Sequence, residues 1–465
     1  MSYTNIISSK SLLFDKRLDP ELYQKEYLNL ISKLKKNNSQ SIGRIANKIY
    51  RGKLPSYDDK GKIAVIKSGL VMDSFIKDKY DFTNESFLKK FPDIEIKFLD
   101  ILVNSTGRGT LGRSSIFLRN IKAVADGHLT LIRDCKDSSP FILNLFLQSA
   151  FGQFQINKLY RGSSGQIEIY PEDIANIIVP NIEKSKAQLI EKNYKKILLE
   201  YENSLNEYFD IENELYDRFP FNFEEKFKLK SFKVSQKEIL NSKRLDSNFY
   251  KPLYKKLDKY FLINNSFKLI DLCESPYRGV QPIYDDNGDY NVINSKNIKK
   301  TEIDYVNAKK ISQSFYNLDE NKKFRIKKND VLMYSTGAYV GQTNIFVKDE
   351  KFIASNHVTL IRPKTDKVNS FYLSLFLNSK FGLCQTDKYA SGSAQREIYP
   401  ENISQYNVLI PHNKDNKIDN LWMKKISERM NKFFKSKIEF YTKLKYLIKE
   451  YENSVSDLKI KDYLN

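Results

Sequence analysis

The sequence has very few of the residues that build metal centres and disulfide frameworks. It contains only 3 cysteines and 3 histidines in 465 residues. Because Cys135, Cys273 and Cys384 are isolated and odd in number, they predict neither a disulfide framework nor a metal cluster. A site built from several histidines is equally unexpected. The sequence therefore predicts a protein without a bound metal.

Long apolar runs are also lacking. No stretch approaches the ~20 apolar residues that a membrane-spanning helix requires, and the mean hydropathy is −0.54. The first residues, MSYTNIISSKSLLFDKRL, have neither the apolar core nor the small-residue cleavage site of a secretory signal. These features predict a cytoplasmic protein that does not enter a membrane.

Complete catalytic motifs are missing as well, since the sequence has no GxxxxGK[ST] loop, no HExxH and no GxSxG. Gly107 to Gly112 fits GxGxxG, but Arg-Ser-Ser-Ile-Phe follows and favours a strand where a nucleotide site needs a helix N-terminus. His128 and His357 occupy matched places in apolar strands and are expected to be structural. We therefore expect no catalytic and no cofactor-binding residues.

The charge of the chain is strongly positive. Lys and Arg number 77 against 57 Asp and Glu, so the formal net charge is +20. Such a balance favours a polyanionic partner, nucleic acid first and an acidic membrane second. With 41% hydrophobic residues the chain has enough apolar material for folded cores, and its length predicts two or three domains.

The chain contains an internal duplication. Residues 16–19, KRLD, recur as residues 243–246, and residues 50–52, YRG, recur at the same spacing as residues 277–279. Further matches keep the same order: STG at 105–107 and 335–337, HLTLIR at 128–133 with HVTLIR at 357–362, and GQIEIYPEDI at 165–174 with AQREIYPENI at 394–403. Each copy exceeds the ~20–50 residues of a solenoid repeat, which predicts two whole modules.

Each module ends in a segment with the period of a long helix. Apolar residues recur every three or four positions, and the second segment follows a heptad. The residues on these stripes are Ile190, Tyr194, Ile197, Tyr201 and Leu205, and Tyr441, Leu444, Ile448, Tyr451 and Val455. We expect the two helices to pair with each other; the alternative is that each stripe packs on its own module.

The segments between the helices are short, rich in β-branched residues and bounded by Gly, Pro, Asn or Ser, which is typical of strands. The predicted fold class is therefore mixed α/β: two repeated globular domains joined by two long antiparallel coiled-coil helices. The predicted boundaries are residues 1–182 and 221–412 for the globular domains, and residues 183–220 and 413–465 for the helical spacers.

The duplication also separates two kinds of candidate DNA contact. Residues identical in both modules cannot distinguish two base sequences, so they suit the scaffold, phosphate contact or a shared partner. Residues that differ, on loops, suit base readout. The candidate DNA-binding residues are Arg51, Lys53, Ser105, Thr106, Arg108, Arg113, Arg161, Gln166, Arg278, Gln281, Ser335, Thr336, Tyr339, Gln342, Gln395 and Arg396.

This arrangement resembles the specificity subunit of type I restriction–modification systems. The likeness is carried by RLD and a following Tyr near the start of each module, and by a Gly/Ser-rich, Gln-containing stretch that ends in Pro before each helix. These segments are Arg17-Leu18-Asp19 with Tyr23, Arg244-Leu245-Asp246 with Tyr250, GSSGQIEIYPEDIANIIVP at 162–180 and SGSAQREIYPENISQYNVLIP at 391–411.

The resemblance implies a DNA-reading subunit without activity of its own. Each module would be a target recognition domain for half of a bipartite, asymmetric site in double-stranded DNA, and the helices would set the spacing. Two methyltransferase subunits would carry S-adenosylmethionine and methylate adenine. A motor-endonuclease subunit, using Mg and ATP, would cleave unmodified DNA.

Other classes of protein stay open at this point. One alternative is a stand-alone regulator that binds nucleic acid without methyltransferase partners, and another is an assembly adaptor whose basic surface binds acidic proteins. A fragment of a fused modification enzyme is disfavoured, because the sequence has no Asn-Pro-Pro-Tyr/Phe motif.

The net charge of +20 generates a prediction. We expect the affinity for duplex DNA to fall steeply with salt, because each neutralised phosphate releases about 0.9 counterion into solution. A titration of binding constant against salt concentration measures the slope on a double-logarithmic plot. A flat plot would contradict nucleic-acid binding, and competition by an acidic protein but not by duplex DNA would favour the adaptor.

Overall fold

The computed structural model describes residues 20–36, 39–58, 60–77, 80–136, 138–162, 167–223, 231–305, 307–364, 368–392 and 396–455. The chain divides into two compact units. The first unit comprises Met1–Glu202 and Ile438–Asn465, and the second comprises Asn203–Lys437. Both unit boundaries fall within long helices, so each unit contains part of both.

The first unit has mixed helices and strands. Its helices are α1 (Lys25–Lys36), α2 (Ile42–Ile45), α3 (Glu85–Lys90), α4 (Pro140–Gln148), α5 (Ala150–Leu159), α6 (Pro171–Ala175) and the start of α7 (Lys184–Arg218), with 3-10 turns at Pro20–Tyr23 and Pro92–Ile94. Its strands are β1 (Gln40–Ser41), β2 (Ala46–Arg51), β3 (Ile63–Ile66), β4 (Asp81–Thr83), β5 (Ile101–Asn104), β6 (Ser114–Ile116), β7 (Ala123–Ala125), β8 (Leu129–Cys135) and β9 (Ile178–Val179).

The second unit is also mixed. Its further helices are α8 (Gln236–Ser242), α9 (Pro252–Ile263), α10 (Leu269–Leu272), α11 (Gln313–Asn317), α12 (Ser370–Asn378), α13 (Lys380–Tyr389), α14 (Pro400–Ser404) and the start of α15 (Asn420–Ser454), with 3-10 turns at Ser247–Tyr250, Ser295–Asn297 and Asp319–Phe324. Its strands are β10 (Ser266–Lys268), β11 (Tyr277–Arg278), β12 (Tyr290–Ile293), β13 (Ile298–Lys299), β14 (Glu302–Ile303), β15 (Lys309–Ile311), β16 (Val331–Tyr334), β17 (Thr343–Ile345), β18 (Phe352–Ala354), β19 (Val358–Ile361) and β20 (Asn407–Leu409).

The sheets of the two units have the same strand order. In the first unit a four-stranded sheet runs β2-β8-β5-β6 and a three-stranded sheet runs β4-β3-β7. The second unit has β11-β19-β16-β17 and β15-β12-β18. The pairs β3–β7 and β12–β18 are parallel, whereas the other pairs in these sheets are antiparallel. Each unit has one further antiparallel strand pair, β1–β9 in the first and β10–β20 in the second. Strands β9 and β20 are the last strands before the two long helices.

The apolar strands and helices of the sequence form the cores. All four residues of β3 and of β5 are buried, as expected for β-branched strands covered on both faces. Helix α4 is apolar on nearly all sides and is buried over most of its length. The Ser139 side chain caps it by accepting a bond from the Phe141 amide at 3.2 Å, and Pro140 occupies the first turn, where its missing N–H costs nothing.

A buried ion pair recurs at two neighbouring strands of the four-stranded sheet in each unit, β8 with β5 and β19 with β16. Arg133 donates to both carboxylate oxygens of Asp100, at 2.8 and 2.5 Å. Arg362 does the same to Asp330, at 2.7 and 2.8 Å. Both aspartate side chains are only 2% exposed. These arginines end the HLTLIR and HVTLIR segments, so this part of the duplication preserves a salt bridge.

In the first unit the two long helices are in contact through aromatic rings. The rings of Tyr201 in α7 and Phe440 in α15 stack with centroids 4.2 Å apart, and Phe75 packs edge-on against both. Tyr194 instead faces its own module, where its hydroxyl accepts from the Asn144 amide at 2.7 Å. The earlier part of the apolar stripe of α7, around Tyr194, therefore packs on its own module, and the later part, around Tyr201, packs on the other helix.

In the second unit the long helices meet through an aromatic pair and through ion pairs. The Tyr208 and Phe433 ring centroids are 4.9 Å apart, and Arg429 of α15 forms salt bridges with Glu207 and Glu214 of α7. Both helices are 35 residues long.

A hairpin of the second unit, β13–β14, contacts both long helices. Lys300 binds Glu212 of α7 at 2.7 Å. Lys437 of α15 binds Glu302 at 3.2 Å and Thr301 at 3.1 Å, and its side chain is only 4% exposed. Burial lowers the pKa of Lys437, and the nearby Glu302 carboxylate opposes that shift. Ion pairs thus join this hairpin to the helices.

The buried stripe of α15 differs in part from the predicted heptad. Leu444 and Tyr451 are buried, as is Val455 just after the end of α15, but Tyr441 is 37% exposed and Ile448 is only half-buried. Phe440 and Leu447 are buried beside them. An α-helix has 3.6 residues per turn rather than 3.5, so a buried stripe drifts by about 20° per heptad and moves to neighbouring positions. On α7 the predicted residues, Ile190 through Leu205, are all buried.

Among the helices of the described residues, none has the length and apolar character needed to cross a membrane.

The buried ion pair gives a stability prediction. Asp100→Asn removes the charge that compensates Arg133, so we expect the free energy of unfolding to fall by about 3 kcal/mol. Asp81→Asn, which breaks the exposed pair with Lys67 in the same unit, should cost less than about 1 kcal/mol. Urea unfolding of the full chain measures both. Equal losses for the two variants would contradict a structural role for the buried pair.

Candidate nucleic-acid interface

The segments that recur in the sequence meet at one place in the first unit. Glu168 lies opposite both Thr106 and Arg161 in antiparallel β-bridges. The guanidinium of Arg51 forms a salt bridge with the Glu168 carboxylate and donates to the carbonyl of Ile169 at 2.6 Å. We call Arg51, Thr106, Arg161 and Glu168 the first Arg–Glu cluster.

The second unit repeats this arrangement. Arg278 binds the Glu397 carboxylate at 2.6 Å and donates to the carbonyl of Ile398 at 2.9 Å. Glu397 lies opposite Thr336 and Ser391 in antiparallel β-bridges. Arg278, Thr336, Ser391 and Glu397 form the second Arg–Glu cluster. The YRG, STG and EIYP segments therefore recur together because they contact one another.

A tyrosine lies beside each cluster. The Arg51 guanidinium is 5.6 Å from the Tyr170 ring centre, and that of Arg161 is 4.9 Å from the same ring. In the second unit Arg278 is 4.8 Å from the Tyr399 ring centre. Such cation–π contacts restrict the arginine orientation.

Backbone bonds beneath each cluster fix its position on the four-stranded sheet. Ser105 donates its amide to the carbonyl of His128 at 2.9 Å, and its hydroxyl shares a hydrogen bond with Thr130 at 2.6 Å. The Ile169 amide donates to the Ser105 carbonyl at 2.9 Å. The second unit has the same bonds at Ser335, His357, Thr359 and Ile398.

The glycine of each YRG segment is required by a close approach of two chains. A Cβ at Gly52 would lie 2.1 Å from the Asp126 carbonyl oxygen, and a Cβ at Gly279 would lie 2.1 Å from that of Ala354. No side chain fits there without moving backbone. This crowding explains why the duplication keeps glycine directly after each arginine.

The glutamates of the two clusters both have a lowered pKa, for the same physical reasons. Burial alone would raise the pKa of Glu168, but hydrogen bonds from Arg51 and Tyr170 outweigh it and lower that pKa. Arg278 and Tyr399 lower the pKa of Glu397 against the same opposing effect of burial. Both carboxylates are therefore ionised at neutral pH. Their stabilising contribution is present above the ordinary glutamate pKa of about 4.3 and is lost as the pH falls through the lowered value.

Several candidate DNA-binding residues of the sequence belong to these clusters. Arg51, Thr106, Arg161, Arg278 and Thr336 are cluster members, and their side chains or backbones have partners within the protein. Ser105 and Ser335 lie beneath the clusters and are fully buried.

A second set of candidates lies on exposed turns next to the clusters. Lys53 and Gln281 follow the two YRG segments, and Arg108 and Tyr339 lie on the turns β5–β6 and β16–β17. All four are exposed, and Tyr339 is 59% exposed. Each unit thus has one loop and one turn that begin at its cluster and carry exposed side chains, and the two together are called its exposed turns below.

The remaining candidates differ from one another. Arg113 and Gln342 end the same two turns and are half-buried. Arg396 is paired with Asp387 at 2.7 Å. Gln166 and Gln395 lie outside the described residues.

Two features of the structure were not predicted from the sequence. Glu168 and Glu397 were not among the candidate residues. The repetition of EIYP, which contains them in both copies, was the signal that could have identified them. The expectation that His128 and His357 lie inside strands was wrong. Both are exposed and lie in the turns that precede β8 and β19. A tight turn follows Asp126 and Ser355, so each strand begins one residue after its histidine.

Residues 264–450 match the family model of the type I restriction modification DNA specificity domain. The match confirms, for this part of the chain, the resemblance stated from the sequence. Residues before 264, which include most of the first unit, lie outside the match.

Two solved structures are similar over most of their length. The S subunit of a type I restriction–modification system from M. genitalium is 11% identical, with 91% of this chain and 96% of that chain covered and a TM-score of 0.39. The HsdS subunit from Thermoanaerobacter tengcongensis is 14% identical, with 90% and 97% covered and a TM-score of 0.28. Likenesses this distant support neither a fold nor a function. No curated protein matches the chain.

The crowding at Gly52 gives a prediction with a matched control. Gly52→Ala places a methyl group against the Asp126 carbonyl, so we expect a loss of about 1–3 kcal/mol in the free energy of unfolding. Gly69→Ala, where a Cβ meets nothing within 4 Å, should change stability by no more than about 1 kcal/mol. Thermal unfolding of the full chain compares the two. A larger loss for Gly69→Ala would refute the crowding explanation.

Proposed function

We propose that this chain is the sequence-specific DNA-recognition subunit of a type I restriction–modification complex. Each unit reads one half of a bipartite, asymmetric site in double-stranded DNA. The proposal is supported by the family match of residues 264–450, together with the same strand order and the same Arg–Glu cluster in the unit outside that match. The repeated modules are target recognition domains, over residues 1–182 and 221–412.

The chemistry belongs to partners in this proposal. Two methyltransferase subunits hold S-adenosylmethionine and methylate adenine, and a motor-endonuclease subunit uses Mg and ATP to cleave. The chain itself is non-catalytic, holds no cofactor and acts in the cytoplasm. Its part is to bring the partners to particular sites on DNA.

The reading surface consists of the two exposed turns in each unit. In the first unit these turns carry Lys53 and Arg108, which suit phosphate and guanine. In the second unit they carry Gln281 and Tyr339, which suit adenine and base stacking. Because the clusters are alike and the turns differ, two modules of one fold can read two different sequences.

The long helices, over spacer segments 183–220 and 413–465, set the distance between the half-sites. Tyr201 packs on Phe440 while the later Tyr208 packs on the earlier Phe433, which supports antiparallel pairing as a coiled coil. A helix of 35 residues is about 52 Å long, close to the length of fifteen base pairs. That length holds two half-sites about one turn of DNA apart.

Exchange of one module tests this division of labour. We expect that replacing residues 240–410 by the corresponding module of another specificity subunit changes one half of the methylated site and preserves the other. Sequencing of methylated adenines in DNA from cells that express the chain with its methyltransferase subunits measures the result.

The control is the parent chain rebuilt through the same two junctions, which should methylate the original site. A change in both halves would refute the division of labour. The same methylated sites in cells with and without this chain would refute the proposed function.

A further inference from the structure

We propose that Glu168 and Glu397 are positioning residues for DNA reading. Each holds the two exposed turns of its own unit in the geometry that meets the bases, through the arginine of the same cluster. This role rests on the proposed function and assigns one residue per half-site to it.

Both turns of a unit begin at its cluster. In the first unit one turn follows Arg51, whose guanidinium is bound by the Glu168 side chain. The other turn follows Thr106, whose backbone lies opposite that of Glu168, and Gly107 donates its amide to the Ile167 carbonyl at 3.1 Å. The Glu168 side chain therefore contacts the residue before one turn, and its chain neighbours Ile167 and Ile169 bond the backbone on either side of Thr106, before the other turn.

The second unit has the same geometry with an additional bond. Arg278 precedes one turn and is bound by the Glu397 carboxylate. Thr336 precedes the other turn, and its hydroxyl donates to the same carboxylate at 3.2 Å. In this unit the Glu397 side chain by itself contacts the residues that precede both turns, Arg278 and Thr336.

The exposure of these pairs argues against a purely stabilising role. The Arg51 and Glu168 side chains are 21% and 32% exposed, and those of Arg278 and Glu397 are 24% and 28% exposed. Asp100, by contrast, is 2% exposed. Ion pairs in contact with solvent contribute little to stability, so a pair kept in the same geometry in both units is better explained by the geometry it imposes.

The bonding of the arginines requires their planar, forked shape. One Nη of each arginine binds the glutamate, and the other donates to the carbonyl of the next residue, Ile169 or Ile398. A lysine keeps the charge but cannot make both bonds from one rigid plane. Lysine substitution therefore distinguishes a positioning arginine from one that contacts phosphate as a point charge.

The test uses the full chain in complex with its methyltransferase subunits and four variants: Glu168→Gln, Glu397→Gln, Arg51→Lys and Arg278→Lys. The measurement is the methylation rate on the cognate duplex relative to duplexes with one mismatch in either half-site. Glu168→Gln should lower discrimination roughly tenfold at the half-site of the first unit and leave the other half-site unchanged. Glu397→Gln should do the reverse. Each lysine variant should match the glutamine variant of its own unit, with an unchanged salt dependence of binding.

Two control variants remove a carboxylate away from the clusters. Asp134→Asn changes an exposed residue of the first unit whose φ of +55° asparagine also adopts, and Glu350→Gln changes an exposed residue of the second. Both should retain full discrimination. The half-site that a variant leaves unaffected reports that the other unit is folded, and thermal unfolding of each variant checks the unit that carries the substitution.

The possible results separate the role from the function on which it rests. Glutamine variants that behave like the controls, or that lose discrimination equally at both half-sites, would overturn the positioning role. Lysine variants that keep full discrimination would show that a point charge replaces the forked arginine, which fits phosphate contact and would overturn the positioning role too. A wild-type complex without sequence-specific methylation would overturn the proposed function, and the positioning role with it.

Discussion

The contact between an arginine at the end of a strand and a glutamate before a helix organises each unit. Arg51 ends β2, and Glu168 lies sixteen positions before the first residue of α7, Lys184. The salt bridge and the neighbouring β-bridges join the segment around Glu168 to the end of β2 and to the residues after β5, before the chain continues through α6 and β9 to the long helix. The exposed turns begin at the same place, so the path to the helix and the candidate reading surface share one set of contacts.

Burial assigns different physical roles to two similar ion pairs in each unit. Asp100 lies in the interior, and the loss of its charge would leave Arg133 uncompensated, which costs several kcal/mol in typical proteins. Glu168 lies near the surface, where water screens its attraction to Arg51 and leaves little net stabilisation. The buried pair of Asp100 and Arg133 is therefore expected to stabilise the sheet, whereas the exposed pair of Glu168 and Arg51 is expected to orient the turns. The same kind of ion pair can have both roles because the dielectric around it differs.

Local patterns predicted much of this fold, whereas contacts between distant segments needed the structure. The apolar period around Ile190 predicted a long helix because helix formation depends on neighbours in sequence, and α7 contains that segment. Which residues of α15 are buried depends on how the stripe drifts, so Phe440 and Leu447 could not be chosen over Tyr441 and Ile448. The duplication indicated that EIYP and YRG matter. It could not show that they bind each other, because 117 positions separate Arg51 from Glu168.

The two units have alike Arg–Glu clusters but different turns, which under the proposed function separates the scaffold from the residues that read DNA. The cluster bonds join backbone atoms and a few side chains, such as the arginine and the glutamate, that are identical in the two units, so they do not depend on the identities of Lys53, Arg108, Gln281 or Tyr339. Under the proposed function, substitutions on the turns would alter base contacts while the path into the long helix stays fixed. The helices pair through other contacts, such as Tyr201 with Phe440, so the spacing between the proposed half-sites would change independently of the sequence read in each. Sequence and spacing would then have separate determinants.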